Sequence, residues 1–530
     1  MRRFAELLDR LVLTPARNDK LRLMADYFAA TPDPDRGLAL AAITGDLDIA
    51  SVKPAMLRAL VGERMDPVLF AYSYDYVGDL AETISLVWPA PAGGSCDLRL
   101  SEVVDMLARA GRADGPAVVA SLLDKLDIPG RFALIKLVTG GLRIGVSARL
   151  ARQALAAFGG VDAAEIEELW HGLQPPYAEL FAWLEGRAEK PARRMAGLFR
   201  PVMLSHAVEN GDLEKLDPAH YAAEWKWDGI RVQAVSEHGV RRLYSRTGDD
   251  IGLAFPDLLE ATDFAGVLDG ELLVGRPQGE VGTFSDLQQR LNRKTVSRAL
   301  VERHPAFMRC YDVLQVEDRD MRGLPFAERR QALETLVAKL DPERFDLSPL
   351  LAFSSWEELD EKRCRPPHPV IEGVMLKRRD SPYLAGRPRG AWFKWKRDPH
   401  RIDAVLMYAQ RGHGKRSSYY SDYTFGVWTG PAAEPELVPV GKAYFGFTDA
   451  ELRQIDKFVR ENTVERFGPV RAVRAEPEHG LVLEIAFEGL ARSARHKSGL
   501  AMRFPRIARL RWDKPPREAD RLEALQAMLG

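Results

Sequence analysis

Residues 222–236 read Ala-Ala-Glu-Trp-Lys-Trp-Asp-Gly-Ile-Arg-Val-Gln-Ala-Val-Ser. Ala222–Trp227 and Arg231–Ser236 mix aromatic and β-branched side chains with polar ones, as short strands do. Asp228-Gly229 between them fits a tight turn, since aspartate and glycine favour the backbone angles that turns require. Further strands are expected at Arg242–Arg246, Val267–Val274 and Met308–Val316, followed by a helix over Phe326–Leu340. Strands in succession followed by a helix predict an α+β domain built on antiparallel sheets, not a doubly wound fold.

The flanking regions read differently. Phe4, Leu7, Leu8, Leu11 and Val12 follow one helix face, and similar stripes lie at Val103–Leu107 and Val118–Leu126. Ser147 is a natural N-cap for a helix over Ala148–Phe158, which Gly159-Gly160 would stop. A helical first region is therefore expected, as a nucleic-acid-binding domain or as a regulatory scaffold. Gly186–Arg200 is basic and contains proline, and it reads as a linker. After Lys396, strands are expected at Ile402–Ala409, Thr424–Thr429, Leu437–Phe445 and Leu481–Glu488. Thr448-Asp449-Ala450-Glu451 is a capping box that should start a helix running towards Asn462. Short strands with a single helix fit a small barrel such as the OB-fold. A chain of 530 residues exceeds what one core organises, so several domains are expected.

The three cysteines Cys96, Cys310 and Cys364 lack metal-ligand spacing, so neither a zinc site nor a disulfide framework is expected. Asp9 and Arg10 interrupt any apolar leader, and no run is long enough to span a bilayer. A cytoplasmic, monomeric protein with no membrane partner is expected. The net charge of −1 does not announce a polyanionic partner. Locally, Arg492–Arg517 holds nine Lys/Arg against Asp513, and Lys377–Arg401 holds nine against Asp380 and Asp398. One such run reads as a solvated face. Two that also contain motif residues point to phosphate contact.

Lys226 gains meaning from its companions Leu268-Asp269-Gly270-Glu271-Leu272, Glu372-Gly373-Val374-Met375-Leu376-Lys377, Trp392-Phe393-Lys394-Trp395-Lys396 and Arg503-Phe504-Pro505-Arg506. In this order they resemble the motif series of ATP-dependent DNA ligases, within the covalent nucleotidyltransferases. The stretch Leu142–Val146, with Arg143, resembles the helical DNA-binding domain of the larger members. The resemblance implies an all-α domain over 1–198, an α+β nucleotidyltransferase domain with ATP-grasp-like antiparallel sheets over 199–398, and a β-barrel OB-fold over 399–530.

It implies site residues too. Lys226 would take AMP from ATP, needing a neutral amine that burial and nearby cations such as Arg231 would favour. Glu224 would read the adenine edge, between Tyr311 and Met375. Glu271 would hold the ribose, and Glu372, with Glu271, would carry Mg2+ or Mn2+. Lys394 and Lys396 alternate on one strand, so they share a face and call for an anion such as triphosphate. Arg506 and Lys514 would orient the leaving pyrophosphate, the run Met502–Lys514 being read as one cation-rich strand. Arg246 would contact both the nucleotide and the 5′-phosphate of the nick, and nicked duplex DNA would also meet Arg143, Phe284, Arg290, Arg293, Lys294 and Arg503. A core phenylalanine opening a helix is the alternative for Phe284. The rival readings are an RNA ligase, an RNA-capping guanylyltransferase, and a DNA-binding scaffold whose motifs have decayed.

Overall fold

The computed structural model describes the chain except residues 48, 50–51, 90–95, 111–113, 192–195, 292, 294, 412–418, 432–433, 495 and 530. It divides into two compact units, Met1–Lys396 and Arg397–Gly530. No described helix is long and apolar enough to cross a membrane.

The first unit begins with helices, from Arg2–Leu13 to Ala178–Leu184, around one apolar core. Phe4, Leu7, Leu8 and Leu11 are buried as their spacing requires, but Val12 lies outside the stripe and is 50% exposed. Ser147 accepts a hydrogen bond from the Leu150 amide, and Gly160, at φ 65°, ends the Ala148–Gly159 helix. The expected linker differs at its end, where Leu198, Phe199 and Arg200 are buried. The Arg200 guanidinium is shared by Glu237 and Gln315, while the Gln233 amide exchanges hydrogen bonds with the Arg200 backbone. A buried guanidinium needs such partners, so this segment is anchored.

The strands of this unit are β1 (His206–Ala207), β2 (Tyr221–Trp227), β3 (Ile230–Glu237), β4 (Val240–Ser245), β5 (Gly266–Val274), β6 (Ala306–Val316), β7 (Arg319–Asp320), β8 (Phe345–Leu347), β9 (Leu350–Leu351), β10 (Ile371–Arg378) and β11 (Trp392–Lys396). They form two sheets, β1-β11-β10-β2-β9 and β4-β3-β5-β6-β7, with β8 beside β6. All pairings are antiparallel except β1 with β11 and β6 with β8. The expected Asp-Gly turn does not close a hairpin, because β2 and β3 belong to different sheets. Gly229 makes this crossing possible: a Cβ there would lie 2.4 Å from the Leu272 carbonyl oxygen. Met203, Val235, Val267, Leu314, Tyr383 and Trp392 form a core drawing on both sheets, with Tyr311 and Met375 at its edge. Outer faces pack separately, β3, β5 and β6 against Leu333 and Val337 of helix Phe326–Val337, and β2, β10 and β11 against Leu359.

The second unit contains β12 (His400–Arg411), β13 (Tyr420–Thr429), β14 (Glu436–Ala443), β15 (Thr463–Phe467), β16 (Val470–Val473), β17 (Val482–Phe487), β18 (Gly489–Arg492), β19 (Leu500–Arg503) and β20 (Arg506–Arg511). Its main sheet runs β14-β13-β12-β16-β15, with β17 pairing both β12 and β20, and β18 pairs β19. Both halves of the Thr448–Glu451 capping box form at the head of helix Asp449–Glu461, which buries Ile455 and Val459. The run Met502–Lys514 is not one strand. It breaks between β19 and β20 at Phe504, whose φ is 51°.

Candidate active site

Three neighbouring strands build one face of the site. Register places Gly373 of β10 opposite both Lys226 of β2 and Lys396 of β11, and Met375 opposite Glu224 and Lys394. Directly paired residues point to the same side of a sheet. Lys226, Lys396, Glu224, Met375 and Lys394 therefore share a face. The register shifts between Ile371 and Gly373, and Gly373 has φ 151°, where a Cβ would lie 2.2 Å from the Trp395 carbonyl oxygen. This irregularity brings Glu372 to the lysines: its Oε2 accepts a hydrogen bond from Lys226 Nζ at 2.6 Å and lies 3.4 Å from Lys396 Nζ. Burial acts to raise the Glu372 pKa, but Lys226 and Lys396 outweigh it and hold the carboxyl below its usual range.

Lys394 is different. Among the described residues no carboxylate pairs with it. Burial lowers its ammonium pKa, and the neighbouring charges of Lys396, Lys226, Arg387 and Arg246 lower it further. A half-buried cation among cations is a receptor for a multiply charged anion.

The other sheet supplies carboxylates. Arg231 of β3 pairs with Glu271 of β5 in register, two places from Asp269 on the same face. Burial pushes the Glu271 carboxyl up to about 7, and Glu372 and Asp269 add to the rise against Lys226 and Arg231. Arg231 is not the free cation that the sequence suggested beside the amine. Its guanidinium donates to both oxygens of Asp269, at 3.0 and 2.6 Å, and to the Met203 carbonyl oxygen. Tyr383 and Tyr311 donate to the same Asp269 at 2.6 and 3.3 Å. Arg231 is a brace between strands, its charge neutralised.

Glu224 is also committed to partners, being 1% exposed with its Oε2 accepting from Lys377 Nζ at 2.9 Å. Sequence reading grouped Lys377 with a phosphate-contacting basic run, yet it is 1% exposed. The signal was there in the alternation Gly373, Met375, Lys377, which sets all three on the face that carries Glu224.

The expected DNA contacts divide. Arg246 is exposed on the loop after β4, and Arg143 is exposed with φ 49°. Arg246 helps to line a cavity of about 860 Å³ with residues from helices Ala148–Gly159 and Ala163–Trp170. Lys226, Glu271 and Glu372 do not line that cavity. Arg293 is exposed, and Lys294 lies outside the described residues. Arg290 is a correction: it is 0% exposed and donates to Asp257 and to the carbonyl oxygens of Ala254 and His304. All its donors are consumed inside the fold, so it does not contact DNA. Phe284 opens helix Phe284–Gln288 and packs against the core under β3, β5 and β6. In the second unit, Arg506 pairs with Glu488 at 2.9 Å and Lys514 with Asp403 at 2.8 Å. Arg503 is half-buried, with its guanidinium 5.3 Å from the centre of the Phe504 ring.

Family models match two stretches, "ATP dependent DNA ligase domain" at residues 202–396 and "ATP dependent DNA ligase C terminal region" at 416–514. A probable DNA ligase of Koribacter versatilis (strain Ellin345) is 32% identical, covering 99% of this chain and 95% of that protein. The DNA ligase 1 of Korarchaeum cryptofilum (strain OPF8) is 28% identical, covering 99% and 97%. The solved structure named Pmar-Lig_Pre has a TM-score of 0.63 over 96% of this chain and 99% of its own, at 16% identity, a likeness of fold. On the extent and identity of these matches, the chain belongs to the ATP-dependent DNA ligases.

Proposed function

We propose that this ligase seals nicks in duplex DNA through an AMP carried on Lys226. The observation that carries this reading is the row of Lys226, Lys396 and Lys394 on one face, the first two sharing the Glu372 carboxylate. A lone surface lysine would need no such company. In the first step the Lys226 amine attacks the α-phosphorus of ATP. A nitrogen–phosphorus bond forms, the bond from that phosphorus to the bridging oxygen breaks, and pyrophosphate leaves with its electron pair. The amine must give up a proton, and Glu372 lies within hydrogen-bond reach to take it. Lys394 and Lys396 hold the phosphates and balance the charge that develops on them. AMP then passes to the 5′-phosphate of the nick, and the 3′-hydroxyl displaces AMP to close the strand.

Tyr311 and Met375 would flank the base, Glu224 would face its edge, and Glu271 would hold the ribose. Among the described residues no three His, Cys, Asp or Glu gather as metal ligands. The donor set nonetheless fits Mg2+ or Mn2+, which bind through one or two carboxylates completed by water and substrate phosphates. Glu271 and Glu372 are two such carboxylates, and a bound cation would offset the burial that raises the Glu271 carboxyl. When bound, the ion would neutralise phosphate charge.

Separate apolar cores support a division of the first unit into a helical DNA-binding region, 1–198, and an adenylation region, 199–398. The region 399–530 is assigned to an OB-type barrel, with the β12-centred sheet as its basis. Arg506 and Lys514 would turn from Glu488 and Asp403 to the pyrophosphate. Arg143, Arg246, Arg293 and Lys294 would meet the DNA backbone, with Arg503 and Phe284 nearer the nick. The test is a denaturing gel on a nicked duplex, which should show joined product with ATP and Mg2+ and none without ATP. Joining only when the nicked strand is RNA would overturn the DNA assignment.

The Glu271 carboxyl also carries a pH consequence. Its folded pKa of about 7 lies above the ordinary value of 4.5, so between these the folded protein binds more protons than the unfolded chain. Stability should therefore fall as pH rises from about 4.5 through 7, by up to roughly 3 kcal/mol. Urea unfolding in chelator at pH 5 and pH 8 should show this fall, with a smaller one in Glu271→Gln. Equal falls in both proteins would contradict the assignment.

A further inference from the structure

We propose that Lys377 is a positioning residue that keeps Glu224 an ionised hydrogen-bond acceptor and so makes the nucleotide pocket choose adenine over guanine. This rests on the reading that Glu224 faces the base. The Lys377 ammonium donates to Glu224 Oε2 at 2.9 Å and to the Tyr311 carbonyl oxygen at 3.2 Å. It lies 4.3 Å from the ring centre of Tyr311, 4.7 Å from Trp392 and 5.2 Å from Phe326. Three ring faces favour a cation and exclude water, so the ammonium is held at one point beneath Glu224.

The remaining oxygen of Glu224 is less committed. Arg330 reaches Oε1 only at 3.5 Å, while it donates to the Ser348 carbonyl oxygen at 2.8 Å and to Glu334 at 2.7 Å. Oε1 therefore keeps capacity to accept. Met375 stands beside Glu224 in the strand register. An ionised carboxylate accepts and cannot donate. Adenine offers an amino group where guanine carries a carbonyl oxygen, so an ionised Glu224 binds the first and repels the second. A protonated Glu224 could donate to the guanine oxygen, and the distinction would blur.

The ionised state depends on neighbours. Burial pushes Glu224 up, and Asp312 adds to this, against Lys377 and Arg330. Asp312 is paired with Arg329, and Asp269, which faces Lys377, is paired with Arg231. Lys377 is the nearest of the opposing cations. A methionine there would keep the length of the side chain and its contact with the rings, and remove the charge.

The experiment compares the full-length protein with Lys377→Met, Lys377→Arg and Glu224→Gln, measuring covalent labelling by radiolabelled ATP and GTP. Lys377→Met should lose at least about tenfold of the preference for ATP, chiefly through a higher KM for ATP, and regain part of it from pH 6.5 to pH 8.5. Lys377→Arg should keep most of the preference. Glu224→Gln, which retains the lysine and whose amide can both donate and accept, should lose the preference without pH dependence. Unchanged preference in Lys377→Met, or a loss that pH does not alter, would overturn the proposal. If Lys377→Met does not fold, Glu224→Gln decides: a retained preference overturns the proposal. Absence of labelling in the parent protein would instead refute the Lys226 reading on which it rests.

Discussion

Replacing Lys226 with alanine should abolish covalent labelling by ATP, a fall of at least about 10⁴-fold. The fold should survive. The Lys226 side chain is 23% exposed, and Glu372 keeps Lys396 as a partner when Lys226 is gone. A change in unfolding temperature of no more than about 3 °C is expected. Of the three lysines on this face, Lys226 makes the shorter contact with Glu372, 2.6 Å against 3.4 Å for Lys396. Lys394 and Lys396 are the residues that could substitute, and both are placed to hold phosphate. Labelling with α-radiolabelled ATP followed by a denaturing gel checks this. A folded variant that still labels would move the nucleophile to one of those two.

The second large effect belongs to Glu372. Glu372→Gln should lower the rate of adduct formation by roughly 10²–10⁴-fold while leaving ATP affinity unchanged or improved. The two halves have different physical origins. Losing the carboxylate removes the group able to take the amine proton and half of the proposed metal ligands. It also leaves Lys226 and Lys396 without this anion, so the face becomes more attractive to triphosphate. A role limited to holding the lysines apart would give the opposite split, with weaker binding and a rate within a few-fold of the parent. Single-turnover labelling across a range of ATP concentrations separates the two.

Much of this was legible in local pattern. Strand alternation located β2, β3, β5 and β6 to within a few residues, and the Ser147 and Thr448 caps formed as read. Backbone preference and side-chain periodicity act over a few residues, which is why they show in one sequence. The misreadings concern partners far away along the chain. Arg290 looked like part of a basic stretch, but Asp257, 33 positions earlier, claims it. Arg231 seemed a free cation until Asp269, 38 positions on, accounted for its charge. Lys377 and Glu224 are 153 positions apart and meet because β10 and β2 are neighbours. Charge in a sequence names a group, and burial decides whether that group faces solvent, substrate or another charge. The Asp228-Gly229 break between β2 and β3 falls where local pattern put it. That the two strands enter different sheets is not a local property, since it depends on Gly229 fitting against the Leu272 carbonyl oxygen.

Mass mapping of proteolytic peptides, after the purified protein is incubated with ATP and Mg2+, addresses the nucleotide-carrying amine directly. The expected outcome is one AMP per chain, on the peptide containing Glu224–Arg231, with fragmentation placing it on the Lys226 side chain. An AMP found on any other residue, or none under conditions in which the protein joins nicked DNA, would contradict the account.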